Sequence, residues 1–393
     1  MTPSPLSTKT KLKWSWRSKT FRGFIYQVTG VSIVLLALYI LTQNTLANMA
    51  TRGIQSGFDF LSATAGFDIG ESVIPYDSRE TYWKAFLIGL LNTLRVAILG
   101  IILTTVLGTL IGVGKFSRNA LIRGVCTVYV EFFRNIPVLI QLLIWYLLLT
   151  ELLPNSWEPW KFGNFFLSKG GLNFPEPIWV TGHLIALVGL GVSVLAVILY
   201  KRQTLKKFEA TGKLSSTILV PLLILIAGPF IGWVLGGTPS AMNAPHKGEF
   251  AIEGGAAVTP EFLAVLLGLS IYTAAFVAEV VRAGIQSVST GQGEAAAALG
   301  LNKTLEMRLI LLPQALRVII PPLSNQYLNL TKNSSLAVAI GYPDLVSISN
   351  TAMNQTGRAV ECIAIVMVIY LCTSLATAAL MNWYNNRTAI QER

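Results

Sequence analysis

From Ser324 to Ser335, nine of twelve residues are Ser, Thr, Asn, Gln or Lys, inside a stretch whose flanks are apolar. Asn325, Asn329 and Lys332 fall at i, i+4 and i+7, which is one stripe of an α-helix. Together with Asn333, Ser334 and Ser335 they form a set that can hydrogen-bond a polar solute, and Lys332 can hold its carboxylate. A helix starting near Ile320 puts Lys332 about 18 Å along it, at 1.5 Å per residue. A bare cation at that depth of a membrane is costly unless paired or hydrated. Two readings fit: the stripe lines a translocation path, or it bonds neighbouring helices together, with Lys332 paired to Glu279 or Glu131.

Other charged and amide side chains fall inside apolar stretches. Glu279 and Arg282 stand at i and i+3, so they either pair with each other or leave Glu279 free as a gate or ammonium contact. Arg95 either faces the path or snorkels outward. Gln141 reads equally as helix glue or path lining, and Glu131, Arg134, Asn135 and Pro137 shape a helix break near it. No catalytic or metal-binding pattern is present. His183 and His246 lie far apart, and Cys126, Cys362 and Cys372 lack metal-ligand spacing and read as small buried hydrophobes. Gly114-Lys115 is no phosphate loop, because Thr109 stands at its first Gly and Phe116 at its Ser/Thr. The chain is expected to bind no nucleotide or other cofactor and, by itself, to be no enzyme.

The elements that position these groups are membrane spans. The 393 residues are 53% hydrophobic and only 12% charged, about half the charged share of a soluble domain. Runs of 18 or more uncharged residues can cross about 30 Å of hydrocarbon. They predict an all-α integral membrane protein with eight spans: 24–44, 84–113, 127–152, 181–200, 215–236, 259–283, 318–342 and 359–383. The first run is too long for a cleaved signal and reads as an uncleaved helix. Of the 30 Lys and Arg residues, 20 fall in the connections that are cytoplasmic if the N-terminus is inside, and 7 in the outer ones. Both termini are therefore expected in the cytoplasm. The net charge of +11 follows that topology and forms no basic face, which argues against nucleic acid as a partner. The outer segments 45–80 and 154–180, rich in Gly, Pro, Trp and acids, read as helix ends and interfacial loops.

After the sixth span the chain reads Glu294-Ala295-Ala296-Ala297-Ala298-Leu299-Gly300 and continues to Ile310-Leu311-Leu312-Pro313. The alanines favour a helix, and Gly300 permits a left-handed turn. A second helix with Lys303, Glu306 and Arg308 is expected to stop at Pro313.

At Glu294, Ala295, Ala296, Gly300, Ile310, Leu312 and Pro313 this stretch resembles the EAA loop of binding-protein-dependent ABC permeases. The flanks are similar to those of the polar amino acid permeases, including the longer general L-amino acid permeases. They are Tyr272–Val288, Phe132-Phe133-Arg134-Asn135-Ile136-Pro137-Val138-Leu139-Ile140-Gln141 and Lys332-Asn333-Ser334-Ser335-Leu336. The resemblance covers 84–153 and 258–386 and implies the five-helix core of the type I importer fold. Outside that core it leaves a basic tail at 1–23, a first span and outer segment at 24–82, and an insertion at 154–257 with two extra spans. The loop at 287–313 becomes a coupling helix, with Ala295 and Ala296 docked on an ATPase and Glu294 in polar contact with it. The implied partners are an ATPase dimer carrying ATP and Mg²⁺, a second and different permease chain, a periplasmic or lipid-anchored binding protein, and an amino acid. The implied location is the inner membrane of a bacterium. The rival is a secondary transporter driven by an ion gradient, which would need inverted repeats around a midplane site.

Overall fold

The computed structural model describes residues 18–51, 53, 56–211, 219–248 and 252–388. Most of the basic tail expected at 1–23, the start of the span expected at 215–236, and residues 389–393 lie outside them. The chain opens with α1 (Lys19–Thr51) and a strap of mostly irregular structure, residues 57–81, with one 3-10 turn at Asp59–Ser62. Next come α2 (Tyr82–Gly114), α3 (Ala120–Asn135) and α4 (Val138–Leu147), the last extended by a π turn at Leu148–Leu152. The short strands β1 (Trp160–Phe162), β2 (Phe165–Ser168) and β3 (Gly171–Phe174) and a two-residue strand at Glu176–Pro177 come before α5 (Thr181–Thr211) and α6 (Leu219–Leu235). Strand β4 (Ala256–Val258) leads into α7 (Pro260–Gln286), and then come α8 (Thr290–Ala298) and α9 (Lys303–Glu306). A π turn at Met307–Leu311 joins α9 to α10 (Leu312–Asn333), which passes into a 3-10 segment at Ser334–Ile340. The fold closes with α11 (Leu345–Thr356) and α12 (Ala359–Thr388).

Among the described residues six helices are long and apolar enough to cross a membrane, and α3 with α4 makes a seventh if the bent pair is one span. Helix α6 is apolar over its 17 described residues. The protein is mostly helical, as the composition predicts.

Three expectations change. The span expected at 127–152 is not straight: α3 and α4 meet at 105°. Pro137 has no N–H to give the helix and pushes the residue before it toward extended geometry, and Ile136 sits at φ −98°, ψ 128°. Next, the helix expected to stop at Pro313 and restart near Ile320 does neither. Pro313 follows directly on a π turn, in which the Leu312 amide bonds back to the Met307 carbonyl. The π turn before it keeps the chain helical from Lys303 to Asn333. Last, the insertion holds a four-stranded antiparallel sheet in the order β1-β2-β3-β4. Strands of three or four residues are too short to show alternation in a sequence.

Helix α7 is the most enclosed of the spans, packed against α2, α3, α4 and α10. Val96, Leu142, Val265, Leu269, Leu330 and Tyr342 make the central cluster around it. Without attraction between lipid-like side chains and lipid, such packing depends on close backbone approach. A Cβ on Gly108 of α2 would lie 2.5 Å from Val277 Cγ1, and one on Gly112 would lie 2.7 Å from the Ala278 carbonyl oxygen. Thr104 Oγ1 donates to the Ser270 carbonyl at 3.1 Å across the same seam. Helices α5 and α6 pack chiefly on each other.

The strap is fastened at both ends. At Gly57 the amide donates to Glu361 Oε1 at 2.7 Å, and Arg358 Nη1 donates to its carbonyl at 3.0 Å. Phe60, Ala65 and Tyr82 pack on Leu345, Ile348 and Cys362. Asp344, fully buried, caps α11 by accepting from the Ser347 amide at 2.8 Å. Burial pushes its carboxyl up from 3.8 to about 7.

Gly108→Ala is expected to cost about 1–3 kcal/mol by overpacking, whereas Gly124→Ala has open space and should be tolerated; melting midpoints in mild detergent check both. Because the folded Asp344 holds its proton more tightly than the unfolded one, stability is complete below about pH 4 and declines as pH rises to about 7. Asp344→Asn should flatten that decline in a pH series of the same melts.

Candidate functional site

The segment expected to be a coupling loop forms a helix, a turn and a helix beyond the end of α7. Helix α8 closes with the Leu301 amide donating to the Ala296 carbonyl and the Gly300 amide to Ala297, at 3.1 and 3.0 Å. This pairing needs a left-handed residue between them, and Gly300 supplies it at φ 73°. Asn302 caps α9 by accepting from the Leu305 amide at 2.9 Å. Of the two alanines expected on a docking face, only Ala295 is open; Ala296 is fully buried. The open face is Glu294, Ala295, Ala298 and Leu299, the last 78% exposed. Glu306 is buried, paired with Lys303 at 2.9 Å, and a Cβ on Gly293 would come within 3.0 Å of its Oε1. Ile310 and Pro313 are half-buried at the base of the loop, and Leu312 is exposed.

Glu279 joins an ion cluster at this end of the bundle. It accepts from Arg282 Nε at 2.9 Å and from Lys115 Nζ, at the end of α2, at 3.2 Å. The carboxylate therefore ties α2 to α7 at the point where the loop begins.

Asn325, Asn329 and Lys332 do share one stripe of α10, and all three are exposed. None of the chain's own described helices covers them, and Lys332 makes no ion pair among the described residues. The alternative partners Glu279 and Glu131 are elsewhere, the first in the cluster above and the second exposed on α3. Helix α10 starts at Leu312, earlier than expected, so Lys332 stands in its last turn. Asn333 is half-buried beside it; Ser334 is buried and donates to the Thr331 carbonyl at 2.7 Å, and Ser335 donates to that of Lys332 at 2.8 Å.

Gln141 and Arg95 lie apart from this stripe. Gln141 is buried in the α3–α4 bend, where its Nε2 donates to the carbonyls of Phe133 and Ile136, both at 2.9 Å. Arg95 neither snorkels nor stands alone. Its Nη1 reaches Glu71 Oε1 at 2.5 Å and its guanidinium lies 4.2 Å from the Phe262 ring centre. Glu71, itself buried, also accepts from the Thr259 hydroxyl and amide at the start of α7, at 2.5 and 3.1 Å. Asn92 Nδ2 donates to the carbonyls of Glu71 and Pro343, at 2.8 and 2.9 Å. The strap, α2, α7 and the turn before α11 meet here.

Sequence reasoning missed Glu71, Asn92 and Thr259. One signal was available: a cation inside a span requires an acid, and the strap that precedes Arg95 holds Asp59, Asp68, Glu71, Asp77 and Glu80.

Comparison with known proteins adds the family. Residues 104–390 match the family described as binding-protein-dependent transport system inner membrane component. The chain is 44% identical over 385 residues to the general L-amino acid transport system permease protein AapQ of Rhizobium johnstonii, covering 97% of this chain and 96% of that one. It is 40% identical to the glutamate/glutamine/aspartate/asparagine transport system permease protein BztB of Rhodobacter capsulatus, with 95% of each chain covered.

Proposed function

The chain belongs to the binding-protein-dependent transport system inner membrane components, and from that premise we propose that it is the permease subunit of an ATP-driven importer of polar L-amino acids. It is a multi-pass membrane protein. The relatives described above are named for amino acid transport, which supports the cargo. The observation that carries the coupling is the loop at 290–311, whose exposed Leu299, Ala295 and Glu294 stand free beyond the bundle. An exposed leucine on a rigid capped turn, outside the apolar zone, is the kind of surface a partner protein covers.

In this reading the loop lies on the cytoplasmic side with both termini, in a bacterial inner membrane, and seats on an ATPase subunit that holds ATP and Mg²⁺. This chain carries no step of the hydrolysis. When the ATPase pair closes, it pushes α8 and α9. Because the π turn joins α9 to α10, and the Glu279 cluster joins α7 to α2, the push reaches three spans at their base. The spans then alternate between inward- and outward-open states. A soluble or lipid-anchored binding protein delivers the amino acid at the opposite end. The exposed stripe of Asn325, Asn329 and Lys332 is completed by a second, different permease chain across the path, and Lys332 meets the substrate carboxylate. Glu279, Arg95 and Gln141 act on this path as supports, through the contacts they make.

Two experiments test this reading. Affinity isolation of the chain from native membranes in mild detergent should bring an ATPase and a second permease with it, and Leu299→Glu should release the ATPase. Recovery of the chain alone, still moving amino acids into liposomes on an ion gradient, would sink the proposal. In the assembled transporter, Lys332→Met should lower uptake efficiency about ten- to a hundredfold, the worth of one hydrogen bond to a charged group, about 1.5–3 kcal/mol. Unchanged uptake kinetics would remove Lys332 from the path.

A further inference from the structure

The sheet in the insertion has an inverted surface. Its register pairs Trp160 with Leu167, Lys161 with Phe166 and Phe162 with Phe165. Successive strand residues alternate faces, so Trp160, Phe162, Phe165 and Leu167 share one face, and Lys161, Phe166 and Ser168 share the other. The second face is the covered one: Phe166 is 5% and Ser168 1% exposed. Part of it borders a charged cavity lined by Glu158, Lys161, His246 and Lys247. The first face is bare, with Trp160 51%, Phe162 63% and Phe165 49% exposed. Three large rings therefore point away from the protein while the charged groups border the cavity on the other side.

The position of the hairpin explains the inversion. Strand β4 ends at Val258 and α7 begins at Pro260, so the sheet is fixed to the mouth of a span. Three strand spacings of about 4.8 Å set β1 about 14 Å to the side of β4. The other end of the hairpin is tied to the π turn that finishes at Leu152, eight residues before Trp160 and so within about 29 Å. That turn belongs to the same end of the bundle, because Tyr146 OH reaches Glu261 Oε1 at 3.4 Å. Exposed tryptophans mark the level of that end: Trp83 opens α2 at 65% exposed, and Trp179 precedes α5 at 63%. Tryptophan collects where hydrocarbon meets water, since its ring is apolar and its N–H is not.

We propose that the β1–β2 hairpin is a membrane-interface anchor, laying Trp160, Phe162 and Phe165 on the lipid headgroup zone at the end of the bundle opposite the coupling loop. The occupant of this face is the phospholipid surface, not a protein. The hairpin holds the sheet, and through β4 the start of α7, at a set height in the bilayer. The inference rests on the chain spanning a membrane and is independent of its cargo.

The test uses the full-length chain purified with its native subunits and placed in phospholipid nanodiscs, with Cys126, Cys362 and Cys372 replaced by Ala. Phe162→Cys, Lys161→Cys and Leu110→Cys are each labelled with bimane. Leu110 is an exposed position of α2 and reports the spanning itself. At Phe162, lipid spin-labelled near the headgroup should quench the dye more than aqueous iodide does, and at Lys161 the order should reverse. Iodide dominating at Phe162 would place the face in water, and quenching by neither would place it under protein; each overturns the anchor. Equal responses at 161 and 162 would overturn it too. Lipid quenching at Leu110 in any of these cases would leave the membrane-spanning reading intact. Should the cysteine replacements prevent assembly, photocrosslinking from Phe162→p-benzoylphenylalanine in the native background decides the matter. Lipid adducts support the anchor, and protein adducts alone refute it.

Discussion

No water reaches the hydrocarbon of a bilayer, so each backbone group freed by a broken helix has to be satisfied by the protein itself. This chain breaks its helices repeatedly and meets that demand with side chains at each site. The 105° bend at Pro137 frees the carbonyls of Phe133 and Ile136, and one amide, Gln141, takes both. At the turn between the 3-10 segment and α11, Asn92 takes the Pro343 carbonyl, and Thr93 Oγ1 accepts from the Leu345 amide at 3.1 Å. Tyr342 OH donates to the Asn92 carbonyl at 3.2 Å. Each repair comes from a polar residue that would be a liability anywhere else in a span.

Charge follows a related rule. Two carboxylates among the described residues are paired with cations of other elements. Glu71 draws together the strap, Arg95 of α2 and Thr259 of α7. Glu279 draws α2 and α7 together again at their other ends. Removing one member of a buried pair costs about 3–5 kcal/mol because the other is left uncompensated. The two helices are thus bolted at both ends and packed glycine-to-valine between them. Against that rigid pair, the bare polar stripe of α10 stands out as the surface that is left open.

The sequence carries the spans well, because eighteen uncharged residues in a row have few other uses. It carries the helix and turn at 290–300 equally well: the position of Gly300 and the alanine run are each local. What it hides is set by distance. The choice between Gln141 as glue and as path lining depended on a bend whose angle no periodicity reveals. Arg95 gave no sign of Glu71, which lies in a strap with no regular structure. Pro313 read as a stop because a proline inside a helix usually is one, and the π turn that absorbs it has no pattern of its own. The sheet went unseen because its strands are shorter than the period needed to recognise them.

The seam between α2 and α7 also has a history in time. Gly108 and Val277 touch in the finished protein but are 169 residues apart along the chain. Ribosomes add about 5–20 residues per second, so α2 enters the membrane roughly ten to thirty seconds before the helix it fits. During that interval the α5–α6 hairpin can close on itself, but the notch at Gly108 and Gly112 has only lipid to fill it. The seam between α2 and α7 is therefore closed only after α3, α4, α5 and α6 have been added to the chain.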